Sequence, residues 1–313
     1  MKVSALTIGF RPGYLDSLVA ALASQTLPVK DWEYVFVDEL HGLREKSLKD
    51  LVQGRFNLVH VPLEPGAMSN TARAVNMGLS HARGELVYFM ADYMFIHPRA
   101  LERHYQLYQE WGPKVLISGP LLDRFTANGR SVYLGQPPII HTVDVGGEAK
   151  SYPELSPPLE WPMKAEYVQP ASDNLLSIWA KPFTPQWPTS WPPDWRLLQA
   201  AQYYVAPGVY ECEVPQWWWA GRNDSVSLEG MLGVNGLDES SQGRRAGLET
   251  VMSKKLMEQG CRFLIDSTAP CYTLPHPFRK KEVKDWEESG VAELKGNSYS
   301  LREKRERILC ESL

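Results

Sequence analysis

Two aspartates stand directly after β-rich runs of the sequence. Asp38 follows the run at residues 34–37, and Asp92 lies at the break that follows the run at 86–90. Because ligands of an open parallel sheet bind at the carboxyl ends of its strands, both carboxylates are candidates for a binding site. Asp38 is suited to accept hydrogen bonds from a base or a ribose, and Asp92 to hold a divalent metal against phosphates. The alternative for each is an aspartate that forms a turn or caps a helix.

Strands and helices alternate over the first 120 residues, and this alternation must position the two aspartates. Apolar runs predict strands at 3–8, 34–37, 57–61, 86–90 and 115–118. Helical spacing of apolar residues predicts helices at 15–23, at 69–84 and from 98 to about 108. Strands that alternate with helices are joined by crossovers, so the sequence predicts a mainly parallel sheet covered on both faces.

The pattern dissolves between residues 136 and 207. Prolines are frequent there, and most of the eleven tryptophans lie between Trp161 and Trp219. We expect long ordered loops with short elements, which in a compact domain are usually functional or mobile. Helices are predicted again at 227–234 and 247–259, and a strand at 263–265. The region after Pro277 is rich in charge.

Composition excludes some classes of protein. The formal net charge of -4 over 313 residues gives no support to general binding of polyanions. The four cysteines form no CxxC pair, so a zinc site is not indicated. The first ten residues are too short for a signal peptide, and no run approaches the roughly 18 apolar residues of a membrane helix. We therefore expect a cytoplasmic protein with no membrane partner.

Five segments form an ordered set of motifs. They are IGFRPGYL at 8–15 with SQTLP at 24–28, EYVFVD at 33–38, AVNMGL at 74–79 with ARGE at 82–85, FMAD at 89–92 with HP at 97–98, and GVNGLDE at 233–239 with GLE at 247–249. In this order they resemble the conserved blocks of the family-2 glycosyltransferases. The resemblance covers roughly residues 1–110 and 220–275.

The resemblance implies a fold and an activity. The fold is GT-A, a Rossmann-like α/β fold whose mainly parallel sheet is flanked by helices, here with a long Trp- and Pro-rich insertion at 136–215. The activity is inverting transfer of a sugar from a nucleotide-diphosphate sugar, with UDP-sugars favoured, to a hydroxyl acceptor. Residues 1–120 would bind the nucleotide sugar, 121–276 the acceptor, and 277–313 would form a charged tail.

The resemblance also assigns residues to the donor site. Asp38 and Glu39 would hold the nucleoside, and Asp38→Ala should then weaken nucleotide binding without disturbing the fold. The residues expected to line the same cleft are Thr7, Gly9 and Arg11. Arg73 lies on the helix expected to face the nucleotide, where it either meets a phosphate or forms a surface salt bridge.

The metal motif departs from the family pattern. Ala91 and Tyr93 occupy the positions of its acidic residues, which leaves Asp92 alone. One carboxylate is a poor cage for Mn²⁺ or Mg²⁺, so donor phosphates, waters and another protein ligand are needed. His276 is the candidate, because relatives often carry a histidine on this late loop, and an imidazole favours Mn²⁺ over Mg²⁺. The alternative is an ordinary loop histidine.

Glu249 is the candidate catalytic base. Relatives usually carry a Glu-Asp pair in this block, whereas here Thr250 follows Glu249. An inverting transfer needs a carboxylate that takes the proton of the acceptor hydroxyl as its oxygen attacks. The alternative is a glutamate that only complements the dipole at the start of a helix.

Of the two expected substrates, the sequence defines the acceptor less well than the donor. Trp217, Trp218 and Trp219 could stack on a sugar ring or on a base, or pack into the core. The leading interpretation is a saccharide or another hydroxylated acceptor. Basic clusters at 279–281 and 302–307 leave open a hydroxymethylated base in DNA, although the interleaved glutamates of 302–307 are typical of a solvated helix. The thin metal motif leaves open an inactive nucleotide-sugar-binding module.

Overall fold

The computed structural model describes residues 1–9, 15–64, 71–119, 121–123, 140–145, 148–153, 209–211, 221–241, 248–266, 268–269, 271–273 and 296–311. The strands of this part of the chain are β1 (Val3–Gly9), β2 (Trp32–Asp38), β3 (Asn57–Pro62), β4 (Leu86–Phe89), β5 (Met94–Ile96), β6 (Val115–Ser118), β7 (Leu121–Asp123), β8 (Ile140–Val145), β9 (Glu148–Pro153), β10 (Val209–Glu211), β11 (Asp224–Ser227), β12 (Arg262–Asp266) and β13 (Cys271–Thr273). The α-helices are α1 (Leu15–Ala23), α2 (His41–Val52), α3 (Thr71–His81), α4 (Ala100–Trp111), α5 (Leu228–Gly233), α6 (Leu248–Glu258) and α7 (Leu301–Glu311).

The main sheet has eight strands in the order β10-β12-β6-β11-β4-β1-β2-β3. The strands β1 to β4 are parallel, and β6 is parallel to β12. Strand β11 lies between β4 and β6 and is antiparallel to both, and β10 pairs antiparallel with β12 at the edge. The predicted α/β fold, a mainly parallel sheet flanked by helices, is confirmed.

Apolar side chains cover both faces of the sheet. Successive strand residues point to opposite faces, so Leu6 and Val35 join one core layer whereas Ala5 and Tyr34 join the other. The first layer packs against α3, α5, α6 and the start of α7, and the second packs against α1, α2 and α4. Burial on both faces explains why the central strands read as continuous apolar runs.

Two smaller sheets accompany the main one. Strands β5, β13 and β7 form a three-stranded sheet, with β13 in its centre. Strands β8 and β9 form an antiparallel hairpin inside the Trp- and Pro-rich insertion. Most of the insertion lies outside the described residues.

The chain end packs on the domain. Leu301, at the start of α7, is fully buried in the first core layer. The Arg305 guanidinium donates to the Ala82 carbonyl at 3.1 Å, and the Asn235 amide donates to the Tyr299 carbonyl at 2.8 Å. The final part of the predicted tail is therefore attached to α3 and to the turn after α5. Among the described helices, none combines the length and the apolar composition that a membrane span requires.

Candidate functional site

The strand order reverses beside β1. The chain passes from β1 outward to β2 and β3, and then returns to β4 on the other side of β1. We call the side on which β1 to β4 end the carboxyl edge. A reversal of this kind opens a crevice at the carboxyl edge, which is where ligands of open α/β sheets bind. Asp38 ends β2 and Asp92 follows β4, so both lie at this edge.

Asp38 is a buried residue with several partners. Its side chain is 0% exposed and faces Arg44 of α2, which is 1% exposed. One carboxylate oxygen accepts from Arg44 Nη1 at 3.1 Å and from the Leu40 backbone N–H at 2.9 Å. The other lies 3.0 Å from His60 Nε2. The observed contacts of Asp38 thus hold α2 and β3 to the end of β2.

Aromatic rings pack beside Asp38. A side chain on Gly9 would place its first carbon 2.4 Å from the Phe36 ring, so only glycine fits at this strand end. The Phe36 ring stacks on His60 with centroids 5.4 Å apart, and His60 meets His41 at 4.1 Å. The Glu39 N–H donates to the Gly9 carbonyl at 2.9 Å, which joins the ends of β1 and β2.

Asp38 and Asp92 act on the same buried groups. Burial, and then the charges of Asp38 and Asp92, hold the pKa of Tyr34 well above its usual range, against a lowering by the Thr7 hydroxyl. Burial lowers the pKa of Arg44, and the same two aspartates oppose that shift. The structure therefore brings Thr7, Asp38 and Asp92 into one electrostatic environment.

Asp92 and Tyr93 form the turn after β4. The Asp92 side chain is 6% exposed, and that of Tyr93 is similarly buried. The Tyr93 hydroxyl accepts from Arg222 Nη1 at 3.1 Å. Tyr93 stands where the family-2 pattern has an acidic residue. Here it holds the Arg222 guanidinium at the turn that contains Asp92.

Strand β11 contributes polar residues that the sequence analysis missed. The Tyr88 hydroxyl donates to the Asn223 side chain at 2.6 Å, and the Asn223 amide donates to the Ala269 carbonyl at 3.1 Å. The Ser118 hydroxyl donates to the Asp224 carboxylate. The sequence gives little signal of this strand, because Val226 is the one apolar residue among its four.

The described residues do not form a metal cage by themselves. Within that part of the chain, no group of three His, Cys, Asp or Glu residues could hold a metal ion. Asp92 supplies one carboxylate at the crevice, which fits a metal whose other ligands are phosphate oxygens and water. His276, the second predicted ligand, lies outside the described residues.

Two of the motif blocks meet on α3. The Asn76 side-chain amide donates to the Leu237 backbone carbonyl at 2.8 Å. The Leu237 N–H donates to the Asn76 side-chain oxygen at 2.9 Å. Gly236 has a φ of +65°, and a side chain there would collide with Asn76. Glu239 accepts from Asn76 at 2.9 Å and also from the Tyr299 hydroxyl. Asn76 therefore fixes the turn between α5 and α6.

Arg73 lies one turn before Asn76 on α3. Its guanidinium is 3.8 Å from the Glu64 carboxylate, and both side chains are well exposed. The structure thus shows the surface ion pair, one of the two alternatives drawn from the sequence.

Glu249 lies in the first turn of α6 and is partly exposed. Leu248, Met252 and Leu256 pack α6 against the sheet. The eleven residues of α6 rise about 16 Å, roughly the length of the five-residue strand β12 that follows. Since β12 is parallel to β6, α6 runs back across the sheet and its first turn lies toward the carboxyl edge. Asp38, Asp92 and Glu249 thus share one side of the molecule.

Some predicted site residues lie outside the described part of the chain. They are Arg11 of the donor cleft, His276 of the metal site, and Trp217, Trp218 and Trp219 of the acceptor site.

The arrangement of the sheet defines the GT-A fold. The solved structure of GalNAc-T7 with UDP, GalNAc and Mn²⁺ aligns with a TM-score of 0.54 and 11% identity, over 93% of this chain and 46% of that chain. The structure of S. aureus TarS 1–349 with UDP-GlcNAc aligns with a TM-score of 0.51 and 14% identity, over 93% of this chain and 62% of that chain.

The TarS 1–349 complex with UDP gives a TM-score of 0.50 at 14% identity, over 88% of this chain and 61% of that chain. This chain therefore spans less than two thirds of each of these structures. At such identities, the likeness establishes the fold. No family profile and no curated protein matches the sequence.

Proposed function

We propose that this chain is a glycosyltransferase that moves a sugar from a nucleotide-diphosphate sugar to a hydroxyl acceptor, with inversion at the anomeric carbon. The observation that carries the proposal is the position of Asp38 and Asp92, which end and follow the two strands on either side of β1 at the strand-order reversal of a GT-A fold. All three of the solved structures named above hold UDP or UDP-GlcNAc, which makes a UDP-sugar the favoured donor.

The donor nucleoside would lie over the ends of β1 and β2. Thr7, Gly9, Arg11 and Glu39 would line that part of the crevice. Asp38 would act there by orienting Arg44 and His60, because both of its carboxylate oxygens already accept hydrogen bonds from the protein. Arg73, at the start of α3, would leave Glu64 for a phosphate, which is inexpensive because exposed ion pairs contribute little.

Asp92 would hold a divalent metal, Mn²⁺ or Mg²⁺, together with His276 and the donor. A metal at this position supplies positive charge against the negative charge that develops on the departing diphosphate. Asp92 lies in the turn between β4 and β5 and is 6% exposed, so packing restricts its position before the donor arrives.

The metal proposal predicts the effect of Asp92→Asn. We expect this variant to lose most Mn²⁺-dependent transfer, because the amide keeps the shape of the side chain but not its charge. Calorimetric titration of Mn²⁺ in the presence of UDP should show the same loss of metal affinity. Asp50→Asn, on the exposed side of α2, is the matched control and should behave as wild type. Wild-type transfer that is insensitive to chelators would contradict the assignment.

The acceptor would approach from the side of α6. Glu249 would take the proton of the attacking hydroxyl, and Trp217, Trp218 and Trp219 would stack on the acceptor. Inverting displacement forms the new glycosidic bond as the bond to the diphosphate breaks, so the enzyme carries no covalent sugar.

A screen of ligands by thermal unfolding tests the proposed function. UDP, UDP-sugars and other nucleotide sugars are added in turn, with and without Mn²⁺. A ligand at about 100 times its Kd stabilises the folded state by about 2.7 kcal/mol, which raises the melting temperature measurably. We expect a stabilising UDP-sugar, whose slow hydrolysis with Mn²⁺ would separate an enzyme from an inactive binding module. The proposal fails if no nucleotide sugar stabilises the protein.

The described contacts do not favour modified DNA as the acceptor. Arg302 pairs with Glu229 at 2.6 Å, and Arg305 bonds to the Ala82 carbonyl. Part of the basic cluster at 302–307 is thus used within the protein, and the cluster at 279–281 lies outside the described residues. A hydroxylated saccharide or small glycoside therefore remains the proposed acceptor.

A further inference from the structure

Arg222 occupies a defined place beside the crevice. It comes two residues before β11, whose Asp224 pairs with Phe89 of β4 on one side and with Ser118 of β6 on the other. Its guanidinium donates to the Tyr93 hydroxyl at 3.1 Å, which places it against Tyr93, the neighbour of Asp92 in the turn after β4.

The backbone around Arg222 is anchored on both sides. The Arg222 N–H donates to the Asp224 carboxylate at 3.2 Å, and that carboxylate also accepts from Ser118. The next residue, Asn223, has a φ of +52° and is held by Tyr88 and by the Ala269 carbonyl. This buried polar network fixes where the chain enters β11, and so fixes the backbone position of Arg222.

A cation at the turn after β4 would stabilise a bound donor. A donor at the strand-order reversal brings a diphosphate to the turn after β4, where the charge of Asp92 is already present. Arg44 is buried against Asp38 in the crevice wall, whereas Arg222 is partly exposed. A guanidinium binds phosphate oxygens through two parallel hydrogen bonds, and a preceding contact reduces the loss of side-chain freedom on binding.

We propose that Arg222, oriented by the Tyr93 hydroxyl, binds the diphosphate of the donor. This inference rests on the proposed function. Tyr93 stands where the family-2 pattern has an acidic metal ligand. In this chain the residue at that position contacts an arginine instead. Arg222 meets the charge of the diphosphate as the bond between its oxygen and the sugar breaks and the electron pair stays on that oxygen.

Calorimetric titrations with UDP and with uridine test the proposal. Both are measured with a chelator present, so that the readout does not depend on a metal. Arg222→Gln should weaken UDP binding about 10- to 100-fold, because a hydrogen-bonded charge on the diphosphate is lost. Uridine binding should not change, since uridine has no phosphate; it also reports that the variant is folded. Arg222→Lys should recover part of the UDP affinity.

Two further variants separate position from charge. Tyr93→Phe removes only the hydroxyl that accepts from Arg222 and should reduce UDP affinity less than Arg222→Gln does. Arg262→Gln removes a comparable charge at the opposite edge of the sheet, where β12 begins, and should leave both ligands unaffected. If wild type binds UDP and Arg222→Gln binds it equally well, the inference is overturned and the proposed function stands. If wild type binds neither UDP nor any UDP-sugar, with Mn²⁺ as well as with the chelator, both are overturned.

Discussion

Glu249→Gln should lower turnover about 10²- to 10⁴-fold and leave donor affinity unchanged. The amide keeps the size and polarity of the side chain but cannot accept the proton of the acceptor hydroxyl, and removal of a general base typically costs this much. Donor affinity should persist because the nucleotide would lie over β1 and β2, away from α6. Steady-state transfer rates and a calorimetric titration with the donor measure the two quantities separately.

The other carboxylates near α6 are less suited to this role. Hydrogen bonds from Ser240 and Gly296 outweigh burial and lower the pKa of Asp238, which makes it a weaker base. Glu239 already accepts from Asn76 and Tyr299. Both residues therefore serve the turn after α5, and Glu249 lies in the first turn of α6.

Glu258→Gln is the matched control, because it makes the same change at the exposed far end of α6. It should keep the wild-type rate. A normal rate for Glu249→Gln would move the base to Asp238 or Glu239. Loss of donor binding in that variant would instead assign Glu249 to the donor site.

The parts of the fold that the sequence predicts are those buried on both faces. Strands β1, β2, β4 and β6 are largely apolar in both side-chain rows, so their signal is strong without any knowledge of partners. Strand β11 lies in the middle of the same sheet but reads DSVS. Its polar side chains are satisfied by partners such as Ser118 and His104. Because these partners are far away in the chain, β11 could not be recognised from local pattern.

Helix α2 was missed for a related reason. Its buried face carries Arg44 and Ser47 beside Leu48 and Val52, while Leu43 is largely exposed. Apolar spacing therefore gives little indication of a helix. The polar face is compatible with burial only because the end of β2 supplies a carboxylate for Arg44, and that depends on tertiary structure.

The sequence predicts where Asp38 and Asp92 lie in the fold but not which side chains they contact. Asp38 and Asp92 were placed at strand ends because their position follows from the local pattern, and the structure has both there. Their partners depend on how the helices and β3 pack, which no spacing reveals. The resemblance likewise paired the blocks around Asn76 and Gly236 only by their order, whereas the structure shows that Asn76 requires glycine at that turn.

The buried pair of Asp38 and Arg44 changes what removal of Asp38 should do. The sequence suggested a residue that could be replaced without effect on the fold. The structure instead has a guanidinium with almost no exposure whose charge is met by the Asp38 carboxylate. A carboxylate is removed at low cost only where water can replace it, and water has little access here.

Asp38→Ala should therefore destabilise the protein by about 3–5 kcal/mol, because it leaves the Arg44 charge buried and uncompensated. Urea unfolding followed by circular dichroism measures the loss. The double variant Asp38→Ala/Arg44→Met should recover much of it, since an apolar side chain of similar length needs no counter-charge at that site. Glu45→Gln, which breaks an exposed pair with Lys49 on the same helix, should leave the unfolding midpoint unchanged. An Asp38→Ala protein as stable as wild type would mean that Arg44 does not depend on Asp38, and the carboxylate would return to its predicted role as a direct nucleoside ligand.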